Sequence, residues 1–193
     1  MPRIPIPKFP KRAHQSFNIG DASQLLRKLT VEIHEFTKSN SSSTMSGYLA
    51  LNIAMTAWHM VDWLSADMDV DQRETATRCL GRPISDHNDL AATVTSACEA
   101  LRICQVIATA GKHVEVKRRP DPSLATRFKV VKPSLNKPRL PGEGLSYIWV
   151  IERNGKEYLA EDVFKEAHRF WETLLSHLGM IDDPIPSRMR RGW

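Results

Sequence analysis

The stretch IAMTAWHMVDWLSADMD, residues Ile53 to Asp69, is apolar on most of its circumference when it is read as a helix. A helix of this kind lies at the centre of a bundle, because a surface helix carries only one apolar stripe. We therefore predict a central helix over about residues 46–66. Polar residues interrupt its apolar run well short of the roughly 20 residues that a membrane span requires, so we expect no membrane segment. These residues are Asn52, Thr56, His59 and Asp62.

The chain before this helix contains a second helix and an arm. Apolar residues recur there at three- and four-residue steps, which predicts one buried helical face from a cap at Asp21 or Ser23 to about residue 38. They are Leu26, Leu29, Ile33 and Phe36. Residues 1–20 hold four prolines among the first ten positions, and proline opposes both helix and strand pairing. We predict an extended basic arm there.

After the central helix, a short helix and then one long helix or two abutting ones lead to Gly111, where the period changes from 3.6 to 2. HVEVKRR (113–119) and RFKVVKP (127–133) alternate apolar and charged residues. In SYIWVIERNGKEYLA (146–160), Asn154-Gly155 stands between two strand-prone runs, which is a strong hairpin signal. An apolar stripe from Val163 to Leu178 then predicts a closing helix that stops at Gly179.

These patterns predict an α+β architecture. It combines a helical bundle, a small late antiparallel sheet of three or four strands, and a C-terminal helix packed back on the core. A chain of 193 residues with 41% apolar content fits one domain. We assign the basic Pro-rich arm to residues 1–20, the domain to 21–180 with its sheet at about 113–160, and a basic C-terminal tail to 181–193.

The net charge of +5 is unevenly distributed along the chain. The basic segment, residues 112–139, holds nine bases against two acids, whereas residues 21–111 are net acidic. Such a concentration favours an anionic partner, and we predict that the basic segment binds RNA or DNA. The expected phosphate contacts are Lys117, Arg118, Arg119, Arg127, Lys129 and Lys132. The alternative is a solvated face, since lysines on edge strands also prevent aggregation.

Two helices carry polar stripes, each on one side. The first stripe is Asn52, Thr56 and His59 with Asp62 at its edge; the second is Arg102, Gln105, Thr109 and Lys112 with His113 just past the helix. If the stripes face each other, two histidines, a lysine and an aspartate meet, which suits proton transfer near neutral pH.

The enzymatic interpretation of this cluster is a metal-independent ribonuclease. In it His59 and His113 act as base and acid, Lys112 stabilises the phosphorane charge, and Asp62 orients His59. No cofactor is predicted.

Two other interpretations use the same residues. In the first, the stripes only pair buried polar groups across helices, Asp62 with Lys112 among them. The protein would then be a non-catalytic scaffold that binds a protein partner through its N-terminal arm or C-terminal tail. In the second, His59, Asp62 and His113 hold a metal ion, with His34 or Glu35 as a further ligand. Lys112 would repel that cation, so we assign no metal ligand.

The remaining histidines, tryptophans and cysteines are expected to be structural. Trp58 and Trp63 are predicted to pack in the core, and His14, His87, His168 and His177 to lie at the surface. Three cysteines without CxxC spacing imply neither a disulfide framework nor a structural zinc site. Together with the lack of a signal-type segment, this predicts a cytoplasmic protein.

The chain resembles two groups of proteins. LNIAMTAWHMVDWL (51–64), CEALRICQVIATAGKHVEV (98–116) and NGKEYLAEDVFKEAHRFWETLL (154–175) make the chain resemble a group of uncharacterised bacterial helical proteins, which implies no activity. The helical part also resembles HEPN-type domains, many of which are metal-independent ribonucleases with an arginine and a histidine a few residues apart near a helix end. Here ten residues separate Arg102 from His113, and Lys112 directly precedes His113, so that motif is not matched.

Overall fold

The computed structural model describes residue 17 and residues 19–39, 44–112, 121–131 and 146–181. In these ranges the elements are α1 (Ala22–Lys38), α2 (Thr44–Asp67), α3 (Val70–Leu80), α4 (His87–Ala97), α5 (Glu99–Lys112), β1 (Leu124–Val131), β2 (Ser146–Arg153), β3 (Lys156–Leu159) and α6 (Ala160–His177). The predicted α+β architecture is confirmed. The predicted arm before residue 17 and the tail after residue 181 lie outside the described residues, as does the predicted strand at 113–119.

Helix α2 is the centre of the bundle. It packs against α1, α4, α5 and α6, which explains why it is apolar nearly all round. Its fully buried residues include Ile53, Met60 and Leu64. The indole N–H of Trp171 on α6 donates to the carbonyl of Ala57 at 2.9 Å and fixes the two helices relative to each other. None of the described helices is both long and apolar enough to cross a membrane.

Helices α1 and α6 pack together on one side of α2. Phe36 and Phe164 meet edge to face, with ring centroids 5.4 Å apart. The prediction that His168 lies at the surface is wrong: it is buried, and its Nε2 lies 2.9 Å from the hydroxyl of Thr30 on α1. His168 follows Phe164 by four residues and precedes Trp171 by three, so it shares their buried face. The hydroxyl of Thr30 satisfies Nε2 of this buried ring.

The break between α4 and α5 occurs at one residue. Cys98 adopts an extended conformation with φ −135° and ψ 110°, so the predicted helical stretch forms two abutting helices. Both helices begin with an acidic residue. Asp86 caps α4 by accepting a hydrogen bond from the backbone N–H of Asp89, and Glu99 lies in the first turn of α5. The break directs Glu99 toward the sheet.

The described sheet has the strand order β1-β2-β3, with both pairs antiparallel. The predicted hairpin turn is confirmed, since Asn154 and Gly155 have φ of 52° and 74°, values that asparagine and glycine tolerate best. Strand β1 begins at Leu124, three residues before the predicted run. Trp149 on β2 donates to the hydroxyl of Ser46 at 2.9 Å and ties the sheet to the start of α2.

Candidate functional site

A polar cleft of about 880 Å³ lies between α2, α4, α5 and the end of β2 nearest the hairpin turn. Its volume is within the range of small-molecule sites, roughly 300–1,000 Å³. The polar and aromatic side chains in its wall are Trp58, His87, Asn88, Thr95, Ser96, Arg102, Gln105, Asp121 and Arg153. Two other depressions are mainly apolar, one of about 590 Å³ beside Cys79 and Phe170, and one of about 240 Å³ beside Trp149. The polar cleft is therefore the candidate site.

Helical periodicity explains how α5 contributes to this cleft. Arg102, Gln105 and Val106 are spaced by three and four residues, so they share one face of the helix. Two members of the predicted polar stripe, Arg102 and Gln105, thus line the cleft. Thr109, the next member, donates its hydroxyl to the backbone carbonyl of Gln105. The side chain of Lys112 and all of His113 lie outside the described part of the chain.

Trp58 forms the α2 side of the wall. The side chain is half-buried: it packs against the hydrophobic core and also borders the cleft. The predicted core position is thus only part of its environment, because one side of the indole is left to the cleft. Trp63 is also half-buried and packs against the core.

Arg153 forms the β2 side of the cleft wall, although the sequence did not predict it as a site residue. Its side chain is only 7% exposed; Nε donates to Asp121 at 3.0 Å, and Nη1 donates to Glu99. Burial alone would lower the pKa of Arg153, but the bonds to the two carboxylates outweigh it and raise that pKa. The Ser123 hydroxyl and then Arg153 hold the pKa of Asp121 below its usual range.

The carboxylate of Asp62 on α2 binds His87 at the start of α4. Its Oδ1 lies 2.7 Å from Nε2 of His87, and both side chains are partly exposed. The partners predicted for Asp62 were His59 and Lys112, whereas His87 was predicted to lie at the surface and not in the site. No sequence signal links two residues that are 25 positions apart on different helices. His59 itself is half-buried on α2.

Two residues of the polar stripe of α2, Thr56 and Asp62, meet partners that do not belong to the stripe of α5. Thr56 is buried and accepts a hydrogen bond from Nζ of Lys28 on α1 at 2.6 Å, and Asn52 is exposed. The two stripes therefore do not meet at Thr56, because the hydroxyl of Thr56 faces α1. The meeting of His59 with His113 stays a prediction.

Two of the predicted phosphate contacts lie on β1 and are exposed. Arg127 binds Glu157 at 2.5 Å and Glu152 at 3.1 Å, and Lys129 binds Glu157 at 2.6 Å. Acids on the neighbouring strands therefore neutralise these two bases, which the sequence analysis could not foresee without the register of the sheet. The other four predicted contacts, Lys117, Arg118, Arg119 and Lys132, lie outside the described residues.

Within the described ranges, no group of three or more His, Cys, Asp or Glu side chains could hold a metal ion. The predicted third ligand, His113, lies outside these ranges.

Compared with protein-family models, curated proteins and solved structures, the chain has no match in any of the three.

Proposed function

We propose that the protein binds single-stranded nucleic acid and seats one nucleotide in the polar cleft. The observation that carries the proposal is the combination in one wall of an indole, Trp58, with a guanidinium, Arg102, and two amides, Asn88 and Gln105. An indole stacks on any base, an amide bonds base edges, and a guanidinium binds phosphate. A cleft of this kind suits an unstacked base, which single strands offer.

The charges around the cleft support an anionic ligand at one position in particular. Arg153 is paired with two carboxylates, Glu99 and Asp121, so this group carries a net charge of −1 and does not attract an anion. Arg102 is exposed, and it makes no ion pair within the part of the chain that the structure describes. Asp121 lies in the cleft wall, and the basic residues Arg118 and Arg119 precede it in the sequence by three and two positions. These bases and Arg102 would bind the phosphates on either side of the seated nucleotide.

The proposal is tested by fluorescence anisotropy with labelled single-stranded RNA and DNA oligomers. We expect Trp58→Ala to weaken binding by about 1–3 kcal/mol, roughly five- to 150-fold, because base stacking is lost. Trp58→Phe should keep most of the affinity. Arg102→Ala should weaken binding more at low salt than at high salt, because a phosphate contact releases counterions.

The matched control for charge is Arg27→Ala on α1. Arg27 is exposed and lies outside the cleft, so its substitution removes the same charge from another surface. Equal losses of affinity for Arg27→Ala and Arg102→Ala, or no binding by the wild type, would show the proposal to be wrong. Thermal melting of each variant checks that Trp58→Ala, which also removes core contacts, remains folded.

The alternative function is a non-catalytic scaffold that binds a protein. It is supported by the internal pairing of predicted functional groups, Thr56 with Lys28 and Lys129 with Glu157. A pulldown from the native host separates the two functions. Recovery of nucleic acid favours the first, and recovery of a protein that is lost when residues 182–193 are deleted favours the second.

A further inference from the structure

We infer that the polar cleft cleaves single-stranded RNA, with His87 as the general base and Asp62 as the positioning residue. The inference rests on the proposed binding of nucleic acid in this cleft. It differs from the site predicted from sequence in placing the base on α4.

The geometry of the pair carries the first step. His87 Nε2 and Asp62 Oδ1 are 2.7 Å apart, and His87 lines the cleft. A carboxylate favours the tautomer in which the nitrogen that faces it bears the proton. A neutral imidazole that donates from Nε2 keeps a lone pair on Nδ1, which is the form that a general base needs. The two residues belong to helices that pack against each other, so the fold holds the ring in place.

The choice of RNA follows from what His87 can reach. The hydroxyls in the described wall belong to Thr95 and Ser96, eight and nine residues further along α4. At a rise of about 1.5 Å per residue they lie about 12 and 13.5 Å along the helix axis from His87, whereas proton transfer needs contact at about 3 Å. Neither hydroxyl can therefore be activated by this base. RNA brings its own nucleophile, since each 2′-hydroxyl stands next to a phosphorus atom.

The reaction is an intramolecular transesterification. Nδ1 of His87 takes the proton of the 2′-hydroxyl, the O2′–P bond forms, and the P–O5′ bond breaks. The leaving O5′ takes a proton from water, and the hydroxide that remains takes the proton from His87 and restores the base. The products are a 2′,3′-cyclic phosphate and a 5′-hydroxyl end. Arg102 lines the same cleft, so its guanidinium is available to bind a phosphate of the strand.

Binding and cleavage are measured separately on the full chain. An all-deoxy oligomer, which has no 2′-hydroxyl, reports binding, and RNA of the same sequence, incubated with a metal chelator, reports cleavage. We expect His87→Ala to slow cleavage at least a hundredfold, the lower end of general-base effects, and to weaken binding of the deoxy oligomer by a much smaller factor. Added imidazole should restore part of the rate. Asp62→Asn should lower kcat with KM unchanged, because the neutral amide no longer fixes the tautomer that keeps the lone pair on Nδ1.

The control variant is His177→Ala, which should cleave RNA like the wild type. His177 is exposed on α6 and lies away from the polar cleft.

If the wild type binds the deoxy oligomer but leaves RNA intact, the inference is overturned and the proposed function stands. If it binds neither oligomer, both are overturned. Full activity in His87→Ala, with loss in His59→Ala and His113→Ala, would overturn the role of His87 in favour of the residues predicted from sequence. Equal cleavage of DNA would overturn the 2′-hydroxyl mechanism.

Discussion

The three cysteines differ strongly in their environments. Cys79 on α3 is exposed, whereas Cys98 and Cys104 are buried. Burial raises the pKa of the Cys98 thiol, and it raises that of Cys104 as well. Because the thiolate is the reactive form, burial makes Cys98 and Cys104 unreactive, and the exposed Cys79 is the accessible thiol.

We predict that a thiol reagent such as Ellman's reagent titrates Cys79 rapidly in the native protein and all three cysteines in concentrated guanidinium chloride. Cys79→Ser should remove the fast phase. It should leave the free energy of unfolding unchanged within about 0.5 kcal/mol, as is usual for a surface substitution. A second fast thiol in the native protein would contradict the buried positions of Cys98 and Cys104.

At the scale of elements, Arg153 connects three parts of the chain. It projects from the end of β2 and binds Glu99 in the first turn of α5 and Asp121 ahead of β1. The sheet is thereby attached to the helical bundle at the cleft. Removing one partner of such a buried arginine leaves its charge incompletely compensated, so each carboxylate should matter for stability.

The pKa of Asp121 gives this connection a pH dependence. The Ser123 hydroxyl and then Arg153 lower the pKa of Asp121 below its ordinary value of 3.8. A lowered pKa in the folded state gives stabilisation that is present above 3.8 and is lost as the pH falls through the folded value. We expect the free energy of unfolding to decrease as the pH drops below about 4, and Asp121→Asn to make that decrease shallower.

Urea unfolding from pH 7 to pH 2.5, followed by circular dichroism, measures this effect. Asp121→Asn should also be less stable than the wild type at pH 7, whereas Asp71→Asn, a change at an exposed carboxylate on α3, should not be. An unaltered pH profile in Asp121→Asn would mean that other carboxylates dominate. Glu157, whose pKa is lowered by Lys129, is one that acts in the same direction.

The elements that the sequence predicted correctly are those with a strong local period. The burial of α2, the hairpin at Asn154-Gly155 and the return of α6 all follow from patterns within one segment. His168 was misplaced because the apolar stripe of α6 is wide enough to include it, and a stripe alone does not show which polar residue finds a partner. Thr30, that partner, is 138 residues away.

The site was only half predictable for the same reason. Periodicity placed Arg102 and Gln105 on one face of a helix, and that face lines the cleft. The pairs Asp62–His87 and Arg127–Glu157 depend on how helices pack and how strands register, which a single sequence does not reveal. Residues in the same segment could thus be grouped, but their partners across the fold could not.

For the whole molecule, the distribution of charge in space differs from that along the chain. The basic segment 112–139 has nine bases, but the structure matches two of them, Arg127 and Lys129, with Glu152 and Glu157. These ion pairs are exposed, so each adds little stability. Their effect is to remove net charge from this part of the sheet. The proposed binding of nucleic acid should then rely on other basic side chains for its phosphate contacts.

Two charge-altered variants test this dependence. The first replaces Arg127, Lys129, Glu152 and Glu157 with glutamine, which leaves the net charge unchanged; we expect the dissociation constant for single-stranded RNA to stay within about twofold, because the patch is already neutral. The second replaces Lys117, Arg118 and Arg119 with glutamine. It should weaken binding and lower the slope of log K against log salt by about 0.7 for each lost phosphate contact, or about two for all three. Anisotropy titrations at several KCl concentrations give both quantities. A larger change of slope in the first variant than in the second would show that the strand bases leave their acids to bind RNA.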